Sequence, residues 1–450
     1  MFRLLHPLVV WTYLLLPPAA LAVGIVRAGR TGLTTPLVSL LVTAFAGALL
    51  GFLAVLANGV VLDGRIPLTQ RLWMVYLGIS VALLLAAADR LLRVVGRAVR
   101  RLVRLGWAKV RGRPPPTSAV RPTYAGLLAQ RLALLAIGAP YVAGVLIVYR
   151  PRAVGPADPP ERYAHATAVR FEATDAVPLE GWWLAVPPAE TSGNPHWGTA
   201  TVVLCHGITA SRAQHMALAS DLLAAGFNVL TFDFRAHGRS GGHLATFGDR
   251  ERRDVLGAVR WVRAAHPQQS KRVCGAGFTT GAAALLAAAA DGGDGRHIDA
   301  VVLFEPYADL GQVGAQVIDD VFPGWFAALM RGPGLWLASL HAGSDLRQFA
   351  PQRLASELWP RPVLIIHGQG RSFVPTSQSM LLYQQALHPK EQFFPDPGLD
   401  GLRQPSRSQR DLYRRMLRQW LGRLDSVGED AASRQRAVRF LQEARSVPVL

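Results

Sequence analysis

A chain of 450 residues can hold more than one domain and a large core, and half of this one is hydrophobic. Its net charge of +18 is unevenly placed: residues 1–160 carry 18 of the 48 Lys+Arg against only Asp63, Asp89 and Asp158, while the remainder is nearly balanced. Arginines set between apolar stretches are membrane flanks, so the basicity gives no case for nucleic acid and implies a lipid bilayer as partner.

Four uncharged or weakly charged apolar stretches come first, at 8–26, 37–62, 72–88 and 132–149, each long enough to cross about 30 Å of hydrocarbon. The first could instead be a cleaved signal peptide, but three more spans follow it. Pro17-Pro18 should kink it. The second contains Gly47-x-x-x-Gly51, a close-packing motif too short to carry weight alone. Between the third and fourth spans, Leu91, Leu92, Val95, Val99, Leu102 and Val103 recur at helical spacing, with Arg93, Arg97, Arg100, Arg101 and Arg104 filling much of the other side. A basic amphipathic helix over about 89–113 is expected, suited to an anionic membrane surface and ended by Pro114-Pro115-Pro116. The positive-inside rule makes this loop cytoplasmic and places everything after the fourth span on the far side. The expected organisation is an all-α membrane domain at 1–150, a linker at 151–165, an α/β domain at 166–425 and a helical tail at 426–450, multi-pass and extracytoplasmic in its second part, in a membrane such as the bacterial inner membrane.

From about residue 165 short apolar runs alternate with helical segments. "TVVLCHG", "NVLTFDF", "RVCGAGF", "DAVVLFEPY", "RPVLIIHG" and "EQFFP" read as strands, and "HMALASDLLAAGF" and "RDVLGAVRWVRA" as helices. Such alternation implies a doubly wound, mostly parallel sheet. Cys205 and Cys274 each fall in a strand-like run and read as buried thiols. The histidines lack metal-ligand spacing, so no metal and no cofactor is expected.

The marks "LCHGITASRAQH", "FDFRAHGRSGG", "GFTTG", "LIIHGQGRSFVP" and "DLYRRMLRQWL" stand in an order that resembles the α/β-hydrolase superfamily, in its serine aminopeptidase-like and esterase-lipase branch, over roughly 168–425. The resemblance implies a hydrolase sheet with a small helical cap at 312–345. It also implies a triad in the order Ser, acid, His. In the nucleophile slot stands Thr279, inside Gly277-Phe278-Thr279-Thr280-Gly281. The acid slot after "LIIHG" holds Arg371, with Glu305 or Asp309 as alternatives after the sixth strand. The histidine slot holds Asp400, or Leu399 if the register slips by one, and no histidine follows His388. Arg371 and Asp400 are expected to form an ion pair of reversed order. Backbone amides at Ile208 and Thr280, with His206 and Gly207 forming the turn, are the implied oxyanion hole. His215 and His243 are expected at the pocket, and Asp233 and Arg235 are expected to brace the loop after the fourth strand.

A degenerate triad implies a binding or scaffolding protein, with an acyl or carboxylate small molecule or a membrane protein as partner. The other reading is an active esterase, lipase or peptidase that uses Thr279 with a histidine recruited from elsewhere. A transporter is disfavoured because the spans hold no intramembrane charge.

Overall fold

The computed structural model describes residues 2–31, 35–62, 68–111, 124–149, 152, 154–186, 198–208, 210–321, 324–368 and 374–394. They fall into two compact units. One comprises Met1–Ala153 together with Gly314–Arg347; the other comprises Val154–Val313 and the described residues from Gln348 onwards.

The first unit is helical. It contains α1 (Phe2–Thr31), α2 (Thr35–Leu62), α3 (Leu68–Val110) and α4 (Tyr124–Val148). α1 stays helical through Pro7, Pro17 and Pro18. Two stretches, Leu5–Val26 and Arg71–Trp107, are long and apolar enough to cross a membrane, whereas Val38–Leu49 and Leu132–Val145 are apolar over shorter lengths. The third span and the basic amphipathic helix are one continuous 43-residue helix, about 65 Å long at 1.5 Å per residue. Nothing at the junction breaks it, because "AADRLLR" holds neither glycine nor proline and Asp89 pairs with Arg93 one turn on. The glycine motif of α2 is used: a methyl on Gly47 would lie 2.6 Å from the Gly78 carbonyl oxygen, and one on Gly51 2.4 Å from that of Met74. The backbones of α2 and α3 touch there, so the motif is a packing face.

The second unit is built on an eight-stranded sheet in the order β1-β2-β4-β3-β5-β6-β7-β8. Its strands are β1 (Ala166–Glu172), β2 (Pro178–Leu184), β3 (Ala200–Cys205), β4 (Asn228–Phe232), β5 (Arg272–Phe278), β6 (Ala300–Phe304), β7 (Val363–Ile366) and β8 (Lys390–Phe393). β2 runs antiparallel to β1 and β4, and β3 to β8 are parallel. Alternate side chains feed two cores. On one face Val203, Cys205, Val273 and Leu303 meet Val255 and Val259 of α6 (Arg252–Ala265) and Leu285 of α7 (Thr280–Ala289). On the other, Val202, Leu204, Cys274 and Phe304 meet Met216, Ala219 and Leu222 of α5 (Met216–Ala224). The two free cysteines therefore sit on opposite faces of the sheet, and burial pushes both thiols up.

Two expectations about boundaries change. Residues 312–345, expected as a cap, lie at the end of α8 (Leu310–Val321) and in α9 (Gly324–Ala342), and from Gly314 they belong to the helical unit. The stretch expected as a linker is held on the sheet unit from Pro156: Arg212 Nη2 donates to the Pro156 carbonyl at 2.8 Å, Trp182 Nε1 to that of Ala157 at 2.8 Å, and the Tyr163 hydroxyl to that of Met216 at 2.9 Å. α10 (Thr376–Gln385) and short 3₁₀ turns at Asp294–His297 and Pro351–Leu358 complete the described elements.

Candidate active site

β5 ends at Phe278 and α7 begins at Thr280, so one residue makes the turn. Thr279 does so at φ +46° and ψ −105°, in the half of backbone space that β-branched side chains avoid. Two glycines let the turn close. A methyl on Gly277 would lie 2.5 Å from the Gly281 carbonyl oxygen, and one on Gly281 would lie 2.4 Å from those of Cys205 and His206. The elbow expected at "GFTTG" is built, with threonine at its apex. Its Oγ1 is buried and has no hydrogen-bond partner among the described residues. It packs against Gly207, where a Cβ would sit 2.8 Å from it.

Strand pairing gathers the rest. Cys205 lies opposite Gly277, so the His206-Gly207-Ile208 turn and the Thr279-Thr280 turn leave from adjacent strand tips. The amides that begin α7 precede its first turn and have no acceptor within the helix. On the other side, Phe278, Phe304, Ile366 and Phe393 are in register. The next residues continue the ladder: the Thr279 N–H donates to Phe304 O at 2.8 Å, Glu305 to Ile366 O at 2.8 Å, and His367 to Phe393 O at 3.1 Å. Thr279, Glu305 and His367 thus form a row across three strand tips, about 4.8 Å from one to the next. Glu305 shares the left-handed backbone, at φ +47°, and its Oε1 lies 3.6 Å from where a Gly368 Cβ would sit. In the sequence, Glu305 stands only as an alternative acid and His367 only as part of the "LIIHG" mark; strand register is what lines them up. Asp309, the other alternative acid, is committed to capping α8, where it accepts from the Gln312 N–H at 3.0 Å. Arg371 and Asp400, and with them the expected ion pair, lie outside the described residues.

The imidazoles near these tips have other work. His206 donates through Nδ1 to the Gly207 carbonyl at 2.8 Å and accepts the Phe234 N–H on Nε2 at 3.0 Å, which assigns its tautomer. Burial, with His237 alongside, holds it well below the usual histidine range. His367 donates through Nδ1 to Ser379 Oγ at 2.7 Å, and that hydroxyl donates to Pro306 O at 3.0 Å; burial lowers the ring to about 4. His215 stacks on Phe278 with centroids 3.4 Å apart, and burial lowers it to about 3; its Nε2 is buried without a partner among the described residues. All three are neutral at pH 7 and none is hydrogen-bonded to Thr279 Oγ1. His243, expected at the pocket, is exposed. No cluster of His, Cys, Asp and Glu fit for a metal occurs among the described residues.

The loop after β4 is braced as expected. Arg235 reaches Asp254 Oδ1 through Nε at 2.8 Å and Nη2 at 2.6 Å, and Asp175 through Nη1 at 2.9 Å and Nη2 at 2.6 Å. Asp233 accepts the Arg212 N–H at 2.7 Å and the Arg239 N–H at 3.0 Å.

Residues 200–353 match the family model described as alpha/beta hydrolase fold. The chain is 30% identical over 234 residues to the uncharacterized protein YfhR of Salmonella typhi, covering 51% of this chain and 73% of that one. It is 26% identical over 239 residues to the uncharacterized protein YqkD of Bacillus subtilis, covering 52% and 75%. Among solved structures, the esterase Pf2001 of Pyrococcus furiosus aligns with a TM-score of 0.48 at 25% identity, covering 62% of this chain and 98% of that one.

Proposed function

The chain belongs to the alpha/beta hydrolase fold family, and on that premise we propose that it is a membrane-anchored, catalytically degenerate member that binds an acyl or carboxylate-bearing molecule at the Thr279 elbow without turning it over. The observation that carries this reading is the Thr279 hydroxyl, buried on a strained turn with no hydrogen-bond partner among the described residues. The family's chemistry needs an imidazole there. The chain from Pro389 to its last residue holds none, and the neighbouring rings of His206 and His367 are spent on backbone and serine contacts. Losing a triad as a unit costs about 10⁶ in rate, or roughly 8–9 kcal/mol. Amides at Ile208 and Thr280 would still favour a carbonyl or carboxylate oxygen.

Anchoring is supported by where apolar surface is exposed. Every exposed large hydrophobic side chain among the described residues, Met380 and Leu387 excepted, lies in the helical unit. Trp11, Val42, Phe45 and Leu132 are each more than half exposed. Water-facing surfaces do not carry such continuous apolar area, whereas lipid-facing ones do.

One observation favours the second reading, hydrolysis by Thr279. His215 sits beside the elbow on Phe278 with a buried, unpartnered Nε2. A fluorophosphonate probe on the full-length protein in detergent separates the two. No labelling above the Thr279→Ala background is expected. Labelling that vanishes in Thr279→Ala, and in His215→Phe, would replace binding by hydrolysis. The triple variant Thr279→Ser, Arg371→Asp, Asp400→His should gain esterase activity, and continued inactivity would show the slots to be misassigned.

A further inference from the structure

α9 interrupts the sheet unit's sequence between β6 and β7 yet packs inside the helical unit. A fully buried histidine holds it there. His341, near its end, is hydrogen-bonded through Nε2 to the Tyr13 hydroxyl of α1 at 3.3 Å, and Tyr13 in turn pairs with the Tyr141 hydroxyl of α4. The His341 ring lies 5.4, 5.5 and 5.7 Å from the rings of Tyr13, Tyr141 and Tyr149. At Gly144 the backbones of α4 and α9 nearly touch, since a methyl there would lie 2.9 Å from the Ala338 nitrogen. Ile318, Ala327 and Met330 pack on Ala139 and Ala143.

The opposite face of α9 is exposed and has a distinct composition. Trp325 is 72% exposed and Trp336 36%. Eleven residues at 100° each bring them back to within about 20° on the helix, and about 16 Å apart along it. Ala328, Arg331, Gly332 and Pro333 are exposed between them, and Arg331 is paired with Asp319 of α8. Tryptophan prefers the headgroup level, and Pro333 leaves a carbonyl unpaired that water must reach. A neutralised Arg–Asp pair is likewise affordable at the interface and costly in hydrocarbon.

We infer that α9 is a lipid-contacting element, packed along α4 with Trp325 and Trp336 facing the bilayer and with Arg331 and Pro333 at its headgroup level. The loop of the hydrolase sequence between β6 and β7 is thereby a membrane contact in its own right. This rests on the membrane reading proposed above and extends it from the first 150 residues to the middle of the chain.

Single spin labels on the full-length protein, reconstituted in phosphatidylcholine–phosphatidylglycerol vesicles, test it. Labels at Trp325→Cys and Trp336→Cys should be more accessible to oxygen than to a water-soluble nickel chelate, as at Phe45→Cys on α2. A label at Met380→Cys on α10 should show the reverse. Nickel accessibility at 325 and 336 matching that at 380, with 45 still in lipid, would overturn this inference and leave the anchoring intact. Nickel accessibility at 45 as well would overturn both. Dipolar broadening at 325 or 336 would show a second copy on this face and also overturn it. Should either tryptophan variant fail to reconstitute, Ala328→Cys reports on the same face.

Discussion

At the elbow, two glycines meet very different neighbours, and that difference is measurable. A methyl on Gly281 would press on two backbone carbonyl oxygens at 2.4 Å, which cannot move without the strands they belong to. A methyl on Gly207 meets only Thr279 Oγ1, the end of a side chain, at 2.8 Å. Gly207→Ala should therefore cost about 1–3 kcal/mol and Gly281→Ala more. Adding Thr279→Ala removes the clash at Gly207 and should recover most of the first loss and little of the second, a coupling of about 0.5–3 kcal/mol. Thermal unfolding of the four variants in detergent reads this; equal recovery at both glycines would mean the threonine hydroxyl does not fill the turn. Asp175 supplies a second test. Burial would raise its carboxyl, but the hydrogen bonds from Arg235 and Arg253 outweigh that and hold it at about 2, below its ordinary value of 3.8. Because the folded state holds the proton less tightly than the unfolded one, the stabilisation is fully present above about pH 4 and is lost as pH falls towards 2. The stability gap between wild type and Asp175→Asn should accordingly be flat near neutrality and close between about pH 4 and pH 2. A gap that persists at pH 2 would mean that packing, not charge, holds the loop.

Whole elements show where sequence is a good guide and where it is not. The parallel strands β3 to β7 were legible because each is a short, wholly apolar run bounded by turn residues, as in Val363–Ile366. β1 and β2 were not singled out: "ATAVRFE" exposes most of its residues, and "PLEGWWL" opens on proline and carries a glutamate. They are strands because β2 pairs with β4 over Gly181–Leu184 and β1 pairs along β2, a tertiary cause with no local mark. The nucleophile elbow was legible because its glycines are required by close approach. The row with Glu305 and His367 was not, because register with strands 26 and 88 residues further on is not written locally. The glycine motif of α2 is the reverse case, a weak signal with a strong structural role. Gly51→Leu and Gly78→Leu should each separate α2 from α3 and lower the temperature at which the detergent-solubilised protein unfolds, while Gly106→Leu, whose Cβ would meet nothing within 4 Å, should leave it unchanged. Equal effects at all three would mean that helix propensity, rather than packing, is being read.

For the molecule as a whole, the charge asymmetry makes one claim that the two units, each described by itself, leave open. The half of α3 beyond Asp89 carries Arg90, Arg93, Arg97, Arg100, Arg101, Arg104 and Lys109, with Arg111 next after it, and no acidic residue among them. By the positive-inside rule such a segment is expected on the cytoplasmic side, and Arg150 and Arg152 are only two charges on the other flank of α4. If α4 crosses the bilayer, the sheet unit is then extracytoplasmic. Its two cysteines fit either side, being buried on opposite faces and unable to pair. A green fluorescent reporter fused after Leu450 should stay dark, and alkaline phosphatase at the same place should be active. Replacing six of the α3 arginines with glutamine should weaken that preference and make part of the fluorescent fusion visible. A bright fusion to the unaltered chain would put the hydrolase-like unit in the cytoplasm. The arginines of α3 would then owe their position to anionic lipid headgroups on the far face.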